Sequence, residues 1–131
     1  MNHPLTLGDS VLDEDHLRLE DLVLQLRDAP LDEVSRRLEA VREHASRHFA
    51  LEDIELRAMA DGNAKCHLDE HAAVLNSLDE VMVVLTQVDV AAEKKALLIN
   101  RLATELLVWL PGHVHEMDAG VASHRSKQRF G

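Results

Sequence analysis

The stretch His67-Leu68-Asp69-Glu70-His71-Ala72-Ala73-Val74 opens a segment that has no glycine or proline before Pro111. Its apolar positions continue in steps of three and four residues, and residues so spaced lie on one face of an α-helix. The stretch therefore predicts a helix whose inward face carries two histidines at one end and aliphatic side chains at the other. The positions of this face are His67, His71, Val74, Leu78, Val81 and Leu85.

Three further segments show the same spacing of three and four. Turn signals separate the four at Ala29-Pro30, at Asp61-Gly62-Asn63 and, more weakly, at Val88-Asp89-Val90. Short connections join antiparallel neighbours. The sequence thus predicts an all-α, antiparallel up-down four-helix bundle of one domain over residues 1–131, with helices at about 10–28, 31–60, 64–87 and 91–122. Residues 123–131 are expected to form a tail that is loosely ordered or prone to interactions. The other three inward faces are Leu12, His16, Leu19, Val23 and Leu26; Val34, Leu38, Val41, Ala45, His48, Glu52, Glu55 and Met59; and Ile99, Leu102, Leu106, Trp109, His113 and Met117.

Composition excludes several classes of function. The 131 residues carry 14 basic and 24 acidic side chains, a net charge of −10, and only two phenylalanines and one tryptophan. Such a chain offers little to a phosphate backbone or to unstacked bases. The first ten residues lack the apolar core of a signal peptide, and no apolar run approaches the length of a membrane span. With a single cysteine, Cys66, expected to be a small packing residue rather than a ligand, the sequence favours a cytoplasmic protein.

Histidine is the one residue type in excess, with nine copies. Five histidines and one glutamate occupy inward positions that should be apolar, and at about 1.5 Å of rise per residue they lie at similar heights in the bundle. This convergence favours a metal site over a set of hydrogen-bonded core histidines. His44 is expected beside the site or as a spare ligand, His115 and His3 in solvent, and His124 too far along the last helix. The predicted ligands are His16, His48, Glu52, His67, His71 and His113.

At these residues the chain resembles the hemerythrin family, above all its single-domain bacterial members. The matching stretches are 12–16, 48–53, 67–71 and 109–118, so the resemblance covers nearly the whole chain. It implies a di-iron centre in which His67, His71 and His113 hold one iron, His16 and His48 hold the other, and Glu52 and Asp118 bridge them. Asp118 enters through the resemblance alone, because a step of five residues from His113 turns an α-helix by about 140°.

The resemblance also implies reversible binding of dioxygen at an open position of the two-histidine iron, with Phe49, Trp109 and Leu110 among the walls of the oxygen pocket. A carrier, store or sensor of dioxygen is therefore the leading hypothesis. The alternatives are a di-iron enzyme, such as a peroxidase or an oxygen or nitric oxide detoxifier, and a bundle that only sequesters iron. Mixed nitrogen and oxygen ligands also admit manganese or zinc. Pro111, which removes a backbone hydrogen bond, is expected to kink the fourth helix just before His113. We expect a monomer or weak homo-oligomer, and the sequence names no protein partner.

Overall fold

The computed structural model describes Leu5, residues 7–59 and residues 62–130, with the backbone alone for residues 62, 63, 115, 116 and 127–130. Over these residues the structure has five α-helices: α1 (Ser10–Asp28), α2 (Val34–Met59), α3 (Gly62–Thr86), α4 (Ala92–His113) and α5 (Ala119–Phe130). A 3-10 turn, Leu31–Glu33, leads into α2, and a π-helical turn, Val114–Asp118, joins α4 to α5. Because α5 continues the direction of the fourth helix, the architecture is the expected all-α four-helix bundle.

The N-terminus of α1 is fixed by side-chain caps. Asp9, in an extended conformation, accepts hydrogen bonds from the backbone nitrogens of Val11 and Leu12, which satisfies two of the amides left free at a helix start. The carboxylate of Asp13 accepts from the backbone nitrogens of Leu7 and Gly8, at 2.6 and 3.1 Å. The segment before the bundle is thereby tied to the first turn of α1.

The core is divided along the bundle axis. Towards the end that contains Leu26, Leu38, Leu78 and Ile99, it is built of buried aliphatic side chains. Towards the other end the inward positions carry imidazole and carboxyl groups, and beyond these a smaller apolar cluster around Leu12, Leu56 and Val121 closes the bundle. The polar layer is therefore enclosed by apolar layers on both sides.

Two predictions about the chain's last quarter need correction. Residues 123–130 continue α5 rather than forming a loosely ordered tail, because Arg125 pairs with Asp9 at 2.8 Å and His124 pairs with Glu55 at 2.8 Å. Helix α4 continues through Pro111 to His113, and the change in winding follows His113 instead of preceding it. Among the described residues, none of the helices has the length and apolar character needed to cross a bilayer.

Candidate metal centre

All seven predicted ligands lie together in one layer across the bundle. Each is buried, with at most 4% of its surface exposed. α1 contributes one of them, α2 two, α3 two, α4 one, and the π-helical turn the last. In that order they are His16; His48 and Glu52; His67 and His71; His113; and Asp118.

The ligand atoms fall into two overlapping groups. Within the described part of the chain, one group consists of Glu52, His67, His71, His113 and Asp118, and the other of His16, His48, Glu52 and Asp118; in each, the candidate ligand atoms lie within 4.8 Å of one another. Both carboxylates belong to both groups. The layer therefore contains two candidate ligand groups of unequal histidine content that share two acids.

The carboxylate of Asp118 faces both groups at once. Its Oδ2 lies 2.9 Å from Nε2 of His16, while its Oδ1 lies 2.7 Å from Nε2 of His67 and 3.2 Å from Nε2 of His113. One oxygen thus points towards each set of imidazoles.

Glu52 lies on the opposite side of the layer, between the histidines of α2 and α3. Its Oε1 is 2.9 Å from Nε2 of His48 and 3.5 Å from Nε2 of His71. The Nε2 atoms of His67 and His113 approach to 3.1 Å. An ion held at about 2.1 Å by both nitrogens would space adjacent ligands by about 3 Å, so these two imidazoles have the separation that a shared ion requires.

Buried polar atoms that lack a hydrogen-bond partner also fit a metal site. Several inward-facing atoms of the described residues are close to one another but find no hydrogen-bond partner: Nε2 of His16, His48 and His71 and both carboxylate oxygens of Glu52 and Asp118. Buried polar atoms are ordinarily satisfied, and an exception calls for a cause such as an ion. Imidazole nitrogens and carboxylate oxygens are donors that iron accepts. The donor set therefore fits divalent cations of this kind.

Three of the imidazoles are held from behind by carboxylates that the sequence analysis missed. Nδ1 of His48 lies 2.9 Å from Asp15, Nδ1 of His71 lies 2.8 Å from Asp53, and Nδ1 of His113 lies 2.9 Å from Glu70. When Nδ1 donates its proton to a carboxylate, Nε2 keeps its lone pair for a metal, and the ring cannot rotate. The three supporting carboxylates are Asp15, Asp53 and Glu70.

Burial and the surrounding imidazoles act in opposite directions on the two acids of the layer. Burial raises the pKa of Glu52 to about 7, and the nearby acid Asp118 opposes its ionisation further. Burial also opposes the charge of Asp118, but the three imidazoles around it hold its pKa well below its usual range. Two buried acids at such short range need cations to ionise together. Divalent ions would supply that charge.

The surroundings of His71 and His48 shift the pKa values of these two imidazoles in opposite directions. Burial and the neighbouring His67 and His113 lower the pKa of His71 to about 2, so this ring is neutral and its Nε2 is free to bind a cation. Burial opposes the charge of His48, but Asp15 and Glu52 more than offset this and raise its pKa to about 10. A cation that binds His48 must therefore displace a proton, and metal uptake releases that proton.

Aromatic rings cover the outer faces of two imidazoles. Phe49 stacks on His71 with ring centroids 4.0 Å apart, and Trp109 stacks on His113 at 4.2 Å. Phe49 and Leu110 are buried, whereas Trp109 is partly exposed. Nε1 of Trp109 donates to the same Glu70 oxygen that faces His113, at 3.2 Å. The three residues predicted to wall the oxygen pocket thus lie against or one turn away from the imidazole layer.

Of the other histidines, the two whose side chains the structure describes, His44 and His124, lie outside the two groups. Nε2 of His44 is 2.9 Å from the backbone oxygen of Asp15, so His44 supports a residue that supports His48. His124 pairs with Glu55. His3 and the side chain of His115 lie outside the described residues. Cys66 is exposed, so the prediction of a small packing residue is wrong, and it belongs to neither ligand group: the adjacent His67 takes the inward direction, and a neighbour in an α-helix points about 100° away.

The position of Asp118 depends on the π-helical turn. Regular α-helical winding would turn it about 140° from His113. Between Val114 and Asp118 the helix instead winds with five-residue steps, as in the bond from the backbone nitrogen of Ala119 to the oxygen of Val114. An i to i+5 bond brings residues five apart onto one face. His113 and Asp118 therefore both face the layer.

Comparison with known proteins gives two matches. A family model described as "Hemerythrin HHE cation binding domain" matches residues 7–123. A protein named bacteriohemerythrin, from Ralstonia nicotianae, is 33% identical over 114 residues, which are 87% of this chain and 79% of the relative. No solved structure shows significant similarity. The residues that the family model matches include all seven buried side chains.

Proposed function

The chain belongs to the hemerythrin family, and from this premise we propose that it binds dioxygen reversibly at a centre of two iron ions. The family and the buried cluster of imidazoles and carboxylates support a non-heme iron protein with a buried metal site. The two-iron count and dioxygen as the ligand are the proposal. A role in carrying, storing or sensing dioxygen would follow from it.

The observation that carries the proposal is the overlap of the two ligand groups. Three imidazoles serve one group and two serve the other, while Glu52 and Asp118 are common to both. With both acids ionised, the protein brings a charge of −2 to the two ions, so only part of their charge is left in the apolar interior. The group with His16 and His48 has one protein ligand fewer, which favours it as the place where an exogenous ligand binds.

Two ferrous ions, when bound, supply the redox chemistry by which dioxygen is held, a chemistry that amino-acid side chains lack. The protein groups orient the ligands and regulate protons. Asp15, Asp53 and Glu70 fix the tautomers of three imidazoles from behind, so that each Nε2 faces the layer. These three acids are each partly exposed, at 23–33% of the side chain, whereas the ligands they support are not.

Exclusion of water is the second contribution of the chain. Phe49 covers His71 and approaches His113 edge-on at 6.4 Å, and Leu110 is buried beside the layer. An apolar enclosure hinders the entry of water and protons to the layer. We therefore propose Phe49, Trp109 and Leu110 as walls of the oxygen pocket.

Anaerobic purification, metal analysis and an absorption spectrum before and after exposure to air test the proposal. We expect two irons per chain and a visible band that appears with dioxygen and disappears when dioxygen is removed. Rapid irreversible oxidation with turnover of peroxide would instead favour a di-iron enzyme. One iron or none in protein that was purified under iron-replete conditions would refute the two-iron centre.

The cellular location and the oligomeric state of the protein are also proposals. The free thiol of Cys66 is exposed, which is compatible with a reducing compartment, and we propose a cytoplasmic location. We propose further that the acidic chain acts as a monomer or weak homo-oligomer. Size-exclusion chromatography with light scattering at several concentrations checks the second statement.

A further inference from the structure

An apolar cavity of about 10 Å³ lies next to the imidazole layer. Each of the four main helices contributes to its lining a residue three positions from a ligand: Leu19 after His16, Ala45 before His48, Val74 after His71 and Leu110 before His113. Three residues of an α-helix rise about 4.5 Å. This space, here the inner cavity, is therefore one helical turn above the ligands in all four helices.

A second space opens to solvent outside the inner cavity. It is a groove of about 270 Å³ between α3 and α4, here the α3–α4 groove, and its α3 side includes the small residues Ala73 and Ser77. Val74, Leu106 and Trp109 line both the inner cavity and this groove. α3 and α4 contact each other over few residues. Three side chains therefore form the partition between solvent and the interior on this side.

The three side chains of the partition differ in how firmly they are held. Trp109 is fixed on two sides, by stacking on His113 and by its Nε1 hydrogen bond to Glu70. Val74 and Leu106 are aliphatic and only partly buried, so packing alone restrains them. Rotamer changes of such side chains take picoseconds to nanoseconds. Transient openings of the partition should therefore form between Val74 and Leu106, with Trp109 as the fixed wall.

We infer that dioxygen enters from the α3–α4 groove, passes between Val74 and Leu106, and waits in the inner cavity before it reaches the metal centre; this inference rests on the proposed function. Water has little reason to occupy the inner cavity, because its lining offers none of the two to four polar partners that a buried water needs. Glu70 and Glu105 border the groove and disfavour anions. The route thus selects a small, neutral, apolar molecule.

Rapid-mixing kinetics of the iron-loaded protein test this route. Ala73 is exposed on the groove side of α3, and Ala73→Phe should obstruct the groove without reaching a ligand. We expect the association and dissociation rates of dioxygen to fall together by about tenfold, about 1.4 kcal/mol in each barrier, with an unchanged Kd. Because a route alters barriers and not end states, a change in Kd without a matched change in both rates would overturn the inference.

The matched control is Ala72→Phe, since Ala72 is the adjacent exposed alanine and does not line the groove. It should leave both rates unchanged, and equal slowing by the two variants would overturn the route. Val74→Ala widens the partition and should raise both rates. Unchanged rates in this variant as well as in Ala73→Phe would exclude passage between Val74 and Leu106.

Xenon separates failure of the route from failure of the proposed function. Apolar cavities that stay dry bind xenon, and crystals of the iron-loaded, oxidised protein under xenon pressure need no dioxygen chemistry. We expect a xenon atom in the inner cavity of the parent chain, and slower xenon exchange by ¹²⁹Xe NMR in Ala73→Phe. No xenon there would overturn the route even if dioxygen binds reversibly. Xenon there without reversible dioxygen binding would refute the proposed function and leave the route standing.

Discussion

Replacement of Glu70 by glutamine tests whether the acids behind the imidazoles tune the metal centre. One oxygen of Glu70 is 2.9 Å from Nδ1 of His113 and accepts from Nε1 of Trp109 at 3.2 Å. Glutamine has the same length and keeps an acceptor, so Glu70→Gln removes the negative charge and little else. The charge makes the imidazole a better ligand, because it stabilises the positive charge that the ring acquires on binding a cation.

The size of the effect follows from the position of Glu70. Loss of such an outer partner typically lowers metal affinity by about 10- to 100-fold, or about 1.4 to 2.7 kcal/mol. Glu70 is 33% exposed and glutamine can still accept a hydrogen bond, so we expect the lower end, about tenfold. Glu70→Ala leaves both donors without their partner and should approach the upper end, about 100-fold.

Competition with a chelator of known affinity, at fixed pH and with metal content measured by mass spectrometry, gives the affinities. The matched control is Asp69→Asn, because Asp69 is the neighbouring acid of α3 and forms an exposed ion pair with Lys65, at 3.2 Å. This control should keep the parent affinity. The reasoning would be refuted if Glu70→Gln and Asp69→Asn bound metal equally well while both remained folded by circular dichroism.

Further predictions concern the ligands, the ends of the bundle and the metal itself. His71→Ala should lower the iron content towards one ion or none and remove the dioxygen-dependent band, while His115→Ala should change neither; metal analysis and spectra decide. Arg125→Met should destabilise the fold by about 2 kcal/mol in urea titrations, less than for a fully buried pair because Arg125 is 20% exposed. Burial opposes the charge of Asp9, but Arg125 and backbone amides lower its pKa; this stabilisation is complete above the unfolded value of about 3.9 and lost as the pH falls through the lower folded value, so the variant should lose less stability on acidification than the parent. Gly8 has φ +84° with open space around it, so Gly8→Ala should cost about 1 to 2 kcal/mol through backbone strain alone. Chelation of the metal should lower Tm in calorimetry, because bound ions stabilise only the folded state and the buried acids then lose their counter-charge.

Six of the seven clustered side chains could be found from the sequence because they break a strong rule. Positions such as His48 and Glu52 should be apolar in a bundle, and the same steps of three and four that place aliphatic side chains inward place these residues inward too. The height of each along the bundle follows from residue counts between turns. Spacing alone could thus bring together residues from four separate helices.

The supporting acids escaped the sequence analysis because each serves a ligand on the next helix. Asp15, beside His16 on α1, holds His48 of α2; Asp53, beside Glu52 on α2, holds His71 of α3; Glu70, beside His71 on α3, holds His113 of α4. A residue adjacent to an inward position points about 100° aside, towards the neighbouring helix. An acid directly beside an inward histidine or glutamate was therefore a usable signal, although it identifies no partner without knowledge of which helix lies alongside.

The helix at the end of α5 could not be predicted from the sequence. Residues 123–130 contain basic and small polar residues that give little apolar periodicity, so the sequence suggested a loose tail. The helix persists there because Arg125 reaches Asp9 and His124 reaches Glu55. Both are tertiary contacts across more than 60 residues of chain, and helix propensity carries no information about them.

Asp118 and the π-helical turn require each other. Pro111 has no backbone N–H, so the α-helical bond to the oxygen of Leu107 cannot form, and the backbone nitrogen of Val114 is shared between the oxygens of Leu110 and Pro111. The regular ladder is thus already weakened one turn before the winding changes. An acid at position 117 would have faced the layer in a regular α-helix; with the acid at position 118, only the wider turn makes it face the imidazoles. The departure from regular winding at Val114–Asp118 is therefore the local cost of placing a second carboxylate between the two ligand groups, and it lies where sequence periodicity necessarily fails.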